Sequence, residues 1–382
     1  MQRLPLLRLG AMATMLMAGY QLWRRLQRRT MLPPARSADD NRRLVGRLDF
    51  FARLQIGCRR FQPHSSLLEH PPRIVALYTN LMTKRNVIGT MRFLRSHEAF
   101  KETLIVLGGP DVTHNIDGYL ASGADLVVIG EGEQTMLEVA IAINDKPRAV
   151  AGNDINEDDP AARDLSPIFG HIAGLAFRMP DGLVVRTGPR EKMRDIDLLP
   201  FPNRQKIDLQ LYLAAWKKAH GHNTLSISTQ RGCPYTCRWC STAVYGQSYR
   251  RRSPQSVADE IVFLQQHYEY DLIWFVDDVF TISHKWLAEF RDELEKRSLR
   301  IQFECITRAD RLNEDIIAVL KACGCFRVWI GAESGSQRII DAMDRRVDVG
   351  QVRAMIQGAR KAGIQAGTFI MLGYPGETET DI

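Results

Sequence analysis

The chain has 382 residues, 45% of them hydrophobic, which is typical of a globular protein of about two or three domains. Its formal net charge is +7, but residues 1–60 hold thirteen Arg, no Lys, no Glu and three Asp, a local charge of +10. The remainder carries 38 basic and 41 acidic residues, so the charge does not indicate a nucleic-acid-binding main body. Seven unevenly clustered cysteines argue against a secreted disulfide framework and favour a reducing compartment, the cytoplasm.

Residues 1–70 form an atypical basic segment. It opens with an apolar run that Arg8 interrupts and that Arg24 and Arg25 follow. A spanning helix needs about 20 mostly apolar residues, so this run is a marginal candidate and we expect at most a weak membrane association. A transit peptide, an interfacial helix or sequence from a faulty gene start fits the composition equally well.

Residues 71–145 alternate between strand and helix patterns. Apolar strands are predicted at 73–80, 103–113 and 124–133, with helices at 84–97 and 135–144. Such a series predicts a parallel sheet covered on both faces. Ligands of these sheets bind at the carboxyl ends of the strands, where the sequences GGPD and GEGE stand. The alternative is that these glycines serve only tight turns.

Residues 146–223 are less regular and read as a connector between domains. A hairpin is predicted at 174–188, because Pro180, Asp181 and Gly182 suit its turn.

Residues 224–382 hold a second alternating series. Its predicted strands are 225–229, 272–278, 301–307, 326–333 and 367–375, and helical segments at 253–268 and 284–297 lie between them. Trp286, Phe290 and Leu294 recur at helical spacing, which predicts that they belong to the core. Five repeats of strand and helix predict a barrel, open or closed, with its site at the carboxyl ends of the strands.

Three cysteines stand within eight residues after the first of these strands: Cys233, Cys237 and Cys240. A structural zinc site takes four ligands, usually as two separated pairs, and no second pair lies near this loop. Thiolates also ligate iron–sulfur clusters, and three of them leave one iron of a cubane open to an exogenous ligand. The remaining cysteines are expected to be small buried apolar residues: Cys58, Cys305, Cys323 and Cys325.

The Cys-x3-Cys-x2-Cys spacing in a loop after the first barrel strand resembles the signature of the radical S-adenosylmethionine (SAM) superfamily. The resemblance implies a 4Fe-4S cluster on Cys233, Cys237 and Cys240, with SAM on the open iron. It also implies reductive cleavage of SAM to a 5′-deoxyadenosyl radical.

Further residues resemble the SAM contacts of that family. The resemblance assigns Trp239 to the adenine, Asp277 and Asp278 to the amino group, Arg308 to the carboxylate, Glu333 to the ribose hydroxyls and Gly373 to the backing of the adenine. Two acids stand where the family typically has a glycine pair with Glu, so which of them holds the amino group stays open. Taken alone, each carboxylate could equally be a surface residue or a helix cap, and Trp239 could be loop packing.

The preceding domain resembles the cobalamin-binding class of the superfamily, closest to the group with the anaerobic magnesium-protoporphyrin IX monomethyl ester cyclase. By this resemblance Thr79 and Asn80 line the pocket for the nucleotide tail. Gly108 and Gly109 let the backbone approach the corrin or the tail, and Glu131 sits at the neighbouring strand end. The chain has no Asp-x-His-x-x-Gly cobalt-ligand motif.

Two departures from the family pattern are expected to matter. Residues 1–70 do not read as the strand and helix that normally open such a cobalamin domain. The sequence stops at Ile382 as a helix begins, without a sixth core strand or a C-terminal substrate domain. We therefore expect a fragment or an interrupted gene, an exposed sheet edge and poor solubility. His114, in the turn after the second strand, is expected at the surface.

The predicted fold class is α/β: a Rossmann-like, flavodoxin-like parallel sheet domain, then a partial (β/α)6 TIM-type barrel. The function implied is that of a cobalamin-dependent radical SAM enzyme, a methyltransferase or oxidative cyclase acting on an unactivated carbon. Implied partners are a small-molecule, lipid or tetrapyrrole-like substrate and an electron donor such as flavodoxin or ferredoxin, with no nucleic acid. The alternatives are a truncated non-catalytic remnant and a radical SAM enzyme without bound cobalamin.

Overall fold

The computed structural model describes residues 68–145, 164–240 and 245–382. The predictions for residues 1–67, among them the basic apolar run and Cys58, lie outside the described residues. The described chain falls into two compact units, one holding residues 68–193 and 200–207 and the other 194–199 and 208–382. In the described ranges, no helix combines the length and the apolar character that a membrane crossing requires.

The first unit contains a five-stranded sheet in the order β1-β2-β3-β4-β5. Its elements are β1 (Ile74–Tyr78), α1 (Lys84–Arg95), β2 (Leu104–Gly108), α2 (Ile116–Ala121), β3 (Leu126–Val128), α3 (Gly132–Asp145), α4 (Ser166–Phe169), β4 (Leu175–Arg178) and β5 (Val184–Arg186). Strands β1, β2 and β3 are parallel, as predicted. The hairpin β4–β5 forms as predicted, but β4 pairs antiparallel with β3, so the sheet is mixed rather than wholly parallel.

Both faces of this sheet are covered, which explains why its strands are apolar throughout. Along β2, Ile105 and Leu107 pack with residues of α1 and α2, whereas Leu104 and Val106 pack with residues of α3 and α4. Alternate side chains of a strand point to opposite faces, so a continuous apolar run is what two covered faces require. The hairpin joins the sheet for the same reason, since residues 175–177 are buried.

The second unit contains a five-stranded sheet in the order β12-β11-β10-β9-β6, and every neighbouring pair is parallel. Its elements are α5 (Leu209–His220), β6 (Thr224–Ile227), β7 (Gln230–Arg231), β8 (Arg250–Arg251), α6 (Pro254–His267), β9 (Leu272–Phe275), α7 (His284–Lys296), β10 (Phe303–Thr307), α8 (Glu314–Ala322), β11 (Cys325–Glu333), α9 (Gln337–Ala342), α10 (Val349–Lys361) and β12 (Gln365–Ile370). Neighbours in space are also neighbours along the chain, as a barrel wall requires. The predicted partial barrel is confirmed.

The helices of this wall begin where the sequence supplies caps and bury the predicted face. Ser253 accepts the backbone N–H of Ser256 at 3.1 Å, and proline occupies the first position of α6. In α7, Trp286, Phe290 and Leu294 are buried, which confirms their assignment to the core. Because β strands and helices alternate in this way, the carboxyl ends of all five strands lie along one edge of the sheet, and the site is built there.

Strand β12 is an edge strand of the sheet as described, and its surface is apolar. Phe369, Ile370 and Leu372 are exposed, at 41%, 56% and 65%. An open edge beside exposed apolar side chains favours pairing with other chains. The described sheet thus ends at β12, with exposed apolar side chains beside it.

Candidate functional site

The three cysteines predicted to hold a cluster lie in the loop between β7 and β8, shortly after β6. Cys233 and Cys237 are half-buried and Cys240 is exposed. The Cys240 N–H donates to the carbonyl of Cys237 at 3.2 Å. Burial raises the pKa of Cys233 and of Cys240, and the negative charge of neighbouring thiolates in the loop raises both further. All three thiols thus belong to one loop at the carboxyl end of β6.

The donor chemistry of this loop fits an iron–sulfur cluster. Among the described residues, no three His, Cys, Asp or Glu side chains converge on the position of a single metal ion. A cubane cluster makes a different demand, because each thiolate ligates its own iron. Three soft sulfur donors on one short loop meet that demand, so the residues present fit the group.

Asp277 fixes the loop where it leaves β6. Its side chain is 2% exposed and accepts the backbone N–H groups of Thr229 at 2.8 Å and of Gln230 at 3.1 Å. The Thr229 hydroxyl also donates to it, and a guanidinium nitrogen of Arg251 lies 3.8 Å away. Burial raises the pKa of Asp277, and the charge of Arg251 opposes the rise. Both carboxylate oxygens are therefore engaged within the protein.

Asp278 has a different environment from its neighbour. The residue as a whole is exposed. Partial desolvation of its carboxylate raises its pKa, and the charge of Asp277 raises it further. After burial, the charge of Asp278 is one of the causes that raise the pKa of Cys233 and of Cys240. Of the two predicted acids, Asp278 is the one that is accessible beside the cysteine loop.

Arg308 is buried at the end of β10 and contacts the cysteine loop. Its Nε and Nη2 donate to the carboxylate of Asp310 at 2.8 and 3.3 Å. Its Nη1 lies 3.4 Å from the Sγ of Cys237, and the ring of Tyr235 stacks 3.9 Å from the guanidinium carbon. Burial lowers the pKa of Arg308, but the bonds to Asp310 outweigh it and raise the pKa. The predicted bidentate partner of a substrate carboxylate is thus already paired with a carboxylate of the chain.

Glu333 ends β11 in a strained conformation beside a residue that the sequence analysis missed. Its φ is +67°, it is buried, and its Oε1 lies 3.5 Å from Nη2 of Arg345. Burial raises the pKa of Glu333, and Arg345 opposes the rise. A Cβ at Gly331 would stand 2.3 Å from Arg345 Nη2 and 2.7 Å from Glu333 Oε1, so glycine leaves room for this ion pair.

Arg345 was missed because it follows α9 and not a strand. It is buried, and its Nη1 lies 4.0 Å from the Sγ of Cys237. Its guanidinium carbon lies 6.0 Å from the ring of Trp239. The sequence does show two adjacent arginines between Asp344 and Asp348. They were not considered, because candidate site residues were sought only directly after the predicted strands.

The two residues assigned to adenine have contrasting surroundings. Trp239 is half-buried, and its indole Nε1 is a buried donor that has no hydrogen-bond partner in the described structure. Gly373 follows β12 with a φ of +83°, and a Cβ there would meet nothing within 4 Å. Glycine at 373 is therefore explained by its backbone conformation, while the indole donor of Trp239 is buried.

The strand ends of the first unit carry the residues assigned to cobalamin, and their contacts are internal. The Thr79 hydroxyl lies 3.2 Å from the hydroxyl of Tyr119, which donates to Asp111. Lys84 lies 3.2 Å from the Asp111 carboxylate. A Cβ at Gly109, whose φ is +119°, would stand 2.2 Å from the carbonyl oxygen of Thr79. Close packing of two loops therefore accounts for Gly109.

The other assigned residues of that edge follow the same pattern. The Asn80 side-chain oxygen accepts the N–H groups of Met82 at 2.9 Å and of Thr83 at 3.0 Å, forming a turn. Gly108 ends β2, and Glu131 is half-buried between β3 and α3. Taken together, the side-chain oxygens of Thr79 and Asn80 and the space beside Gly109 are used within the chain. Their assignment to cobalamin stays a prediction. His114 is exposed, as predicted.

Comparisons with known proteins identify a family for the C-terminal part of the chain and individual relatives for about three quarters of it. Residues 227–382 match the Radical SAM superfamily. The chain is 30% identical over 288 residues to an uncharacterized methyltransferase of Pyrococcus horikoshii, covering 74% of this chain and 56% of the relative. It is 28% identical over 286 residues to the anaerobic magnesium-protoporphyrin IX monomethyl ester cyclase of Rubrivivax gelatinosus, covering 74% and 48%.

The fold has a solved counterpart in the cobalamin-dependent S-adenosylmethionine radical enzyme OxsB with aqua-cobalamin bound. The TM-score is 0.63 at 18% identity, covering 80% of this chain and 42% of that chain. The likeness to this structure supports the fold. The chain spans about half the length of the curated relatives it matches. The predicted family is confirmed for the C-terminal part: the chain carries a radical SAM domain over residues 227–382.

Proposed function

We propose that this chain binds a 4Fe-4S cluster through Cys233, Cys237 and Cys240 and acts as a radical SAM enzyme on an unactivated carbon. The observation that carries the proposal is the cysteine loop itself, anchored by Asp277 and flanked by buried cations at Cys237. Bound together, such a cluster and SAM supply a 5′-deoxyadenosyl radical that abstracts hydrogen. Methyl transfer and oxidative cyclisation are the two outcomes that the names of the relatives support.

We assign different residues of the chain to different parts of SAM. We assign the amino group of SAM to Asp278, because this carboxylate is accessible beside two of the thiols whereas both oxygens of Asp277 are engaged. Glu333 is assigned to the ribose hydroxyls and Trp239, with its indole donor, to the adenine, with Gly373 behind it. Burial of Glu333 and its pairing with Arg345 hold this carboxylate in one orientation for hydrogen bonding.

The test is anaerobic reconstitution with iron and sulfide, followed by addition of dithionite and SAM. The proposal expects the charge-transfer absorbance of an iron–sulfur cluster, its loss in the triple Cys233→Ala, Cys237→Ala, Cys240→Ala variant, and release of 5′-deoxyadenosine. The triple Ser variant at Cys305, Cys323 and Cys325 is the matched control, and it should keep the cluster. A protein that loads the cluster without ever releasing 5′-deoxyadenosine would refute the catalytic half and favour a non-catalytic remnant.

Cobalamin enters the proposal as a second cofactor, supported by the fold shared with OxsB. No step is assigned to it, because the side chains described at the strand ends of the first unit are engaged with one another. Anaerobic titration with hydroxocobalamin decides the point. A shifted corrin spectrum supports binding, and an unchanged spectrum assigns the chain to radical SAM enzymes without bound cobalamin.

The substrate and the partners follow from the same chemistry. We propose a small-molecule substrate, with lipids and tetrapyrroles among the classes to be screened, and a flavodoxin or ferredoxin as electron donor. The cytoplasm is the compartment proposed, because low-potential clusters and free thiols need reducing surroundings. Reduction of the loaded protein by photoreduced flavodoxin, monitored by electron paramagnetic resonance (EPR), tests the donor, and a cluster that stays oxidised speaks against it.

A further inference from the structure

The sulfur of Cys237 is flanked by two buried guanidinium groups. Nη1 of Arg308 lies 3.4 Å from the Sγ, and Nη1 of Arg345 lies 4.0 Å from it. The two arginines are 3% and 6% exposed, so water screens neither charge well.

Both guanidinium groups are locked in orientation by the other nitrogens. Nε and Nη2 of Arg308 bind Asp310, and the same Nη2 donates to the carbonyl of Arg345 at 2.6 Å. Nε and Nη2 of Arg345 donate to the carbonyl of Gly331 at 3.2 and 2.7 Å. In each case Nη1 is left directed at Cys237. The planar fork of arginine makes this division of donors possible, and lysine cannot reproduce it.

Hydrogen bonds and positive charge at a cluster sulfur act on the reduction potential. An electron added to the cluster increases its negative charge, and donors at a ligand sulfur stabilise that charge. The effect is stronger at a buried site, where the effective dielectric is lower than in water. Removing a buried cationic donor therefore makes the cluster harder to reduce.

We infer that Arg308 and Arg345 are positioning residues that hydrogen-bond the sulfur of Cys237 and raise the reduction potential of the cluster it ligates. The inference rests on the proposed function, because it takes Cys237 as a cluster ligand. It gives Arg308 a role different from binding the carboxylate of SAM. It also explains why Arg345, which follows a helix, is buried beside the cysteine loop.

The test is a redox titration of the reconstituted protein without SAM, monitored by the EPR signal of the reduced cluster. At the potential where the wild-type cluster is half reduced, R308M and R345M should each lower the reduced-to-oxidised ratio about tenfold, a shift of about 59 mV for one electron. R308K and R345K, which keep the charge without the fork, should shift the ratio less. R338M is the matched control: it removes an exposed cation that pairs with Asp381, and it should titrate like wild type.

The outcomes separate this inference from the proposed function. A wild-type protein that binds no cluster refutes the proposed function. If R308M and R345M load the cluster and titrate like wild type, the inference is overturned and the proposed function stands. If R308M binds SAM more weakly at an unchanged potential, the inference is also overturned, and Arg308 is assigned to the carboxylate of SAM instead. If a Met variant fails to load, the Lys variant at that position decides: a loaded Lys variant with an unshifted or raised potential overturns the inference, and a lowered potential supports it.

Discussion

The carboxylate of Asp277 accepts the backbone N–H of Thr229 at 2.8 Å, joining the residues that follow two neighbouring strands. Strands β6 and β9 pair in register, with Ile227 opposite Phe275, so the two chain segments leave the sheet side by side. Asp277 thereby determines the direction in which the cysteine loop departs. A residue predicted to bind SAM is, in the structure, the anchor of the loop that carries the cysteines.

Replacing Asp277 should damage the loop and the fold together. Asp277→Ala leaves two buried N–H groups and Arg251 without their acceptor, and loss of one partner of a buried ion pair costs about 3–5 kcal/mol. Asp277→Asn keeps an acceptor oxygen and should cost less. The measurement is urea unfolding of the protein without cluster, together with iron content after reconstitution. Asp278→Asn is the control and should leave stability within about 0.5 kcal/mol; equal losses for D277A and D278N would contradict the assignment.

The left-handed conformation at Gly109 predicts a large effect of a single methyl group. Gly109→Ala puts a Cβ 2.2 Å from the Thr79 carbonyl at a φ of +119°, which costs about 1–3 kcal/mol in backbone strain alone. Gly89 in α1 is the matched control, because a Cβ there meets nothing within 4 Å. Gly89→Ala should stabilise the protein by about 0.5–1 kcal/mol. Thermal unfolding of both variants checks the prediction, and a G109A protein as stable as wild type would contradict it.

The buried hydroxyl of Tyr119 predicts a loss of stability at alkaline pH. Burial, reinforced by the bond to Asp111, raises the pKa of Tyr119 from 10.0 to about 12. Below pH 10 the phenol is neutral in both states, so its full contribution is present. Between pH 10 and about 12 the unfolded chain loses the proton while the folded chain keeps it. Stability should therefore fall by about 1.4 kcal/mol per pH unit in that window.

Tyr119→Phe provides the reference for this pH dependence. The other titrating groups are common to both proteins, so the difference between their unfolding free energies isolates Tyr119. That difference should shrink between pH 9 and pH 11 in denaturant titrations. Parallel curves over the same range would show that Tyr119 titrates as it does in the unfolded chain.

The described cysteines should divide into two classes of reactivity. Cys305, Cys323 and Cys325 are buried, and burial raises the pKa of Cys323 to about 12. Burial also raises the pKa of Cys305, so at pH 8 Cys305 and Cys323 have little thiolate, and all three buried thiols lack access to reagent. Alkylation of the protein without cluster, followed by peptide mass spectrometry, should label the exposed Cys240 first and the buried three only in urea. Labelling of Cys323 before Cys240 would contradict this picture.

Much of the fold could be predicted because its physical causes are local. The apolar runs of β1 and β2 and the helical spacing of α7 are periodic signals, and all three elements form where they were expected. The antiparallel addition of β4 to β3 was not predicted. Turn chemistry identified the hairpin, but its partner strand depends on buried contacts between residues about fifty positions apart, which no local pattern contains.

The cysteines of the candidate site are visible in the sequence, whereas the residues that support their loop are not. The spacing of Cys233, Cys237 and Cys240 is a chemical pattern that a sequence displays directly. The use of Asp277 as a loop anchor could not be inferred, because adjacent acids in a sequence do not reveal which one is buried. Arg345 was overlooked for a related reason: its approach to Cys237 depends on the path of the chain after α9.

The short ladder between β7 and β8 gives the cysteine loop a closed base. Gln230 pairs with Arg251, Arg231 pairs with Arg250, and the Arg252 N–H donates to the carbonyl of Thr229 at 2.8 Å. These contacts and Asp277 hold the two ends of the loop together by protein bonds alone. Under the proposed function, this closed base predicts that the barrel wall folds without the cluster and can receive iron and sulfide afterwards. It also predicts that a protein stripped of its cluster by oxidation stays folded.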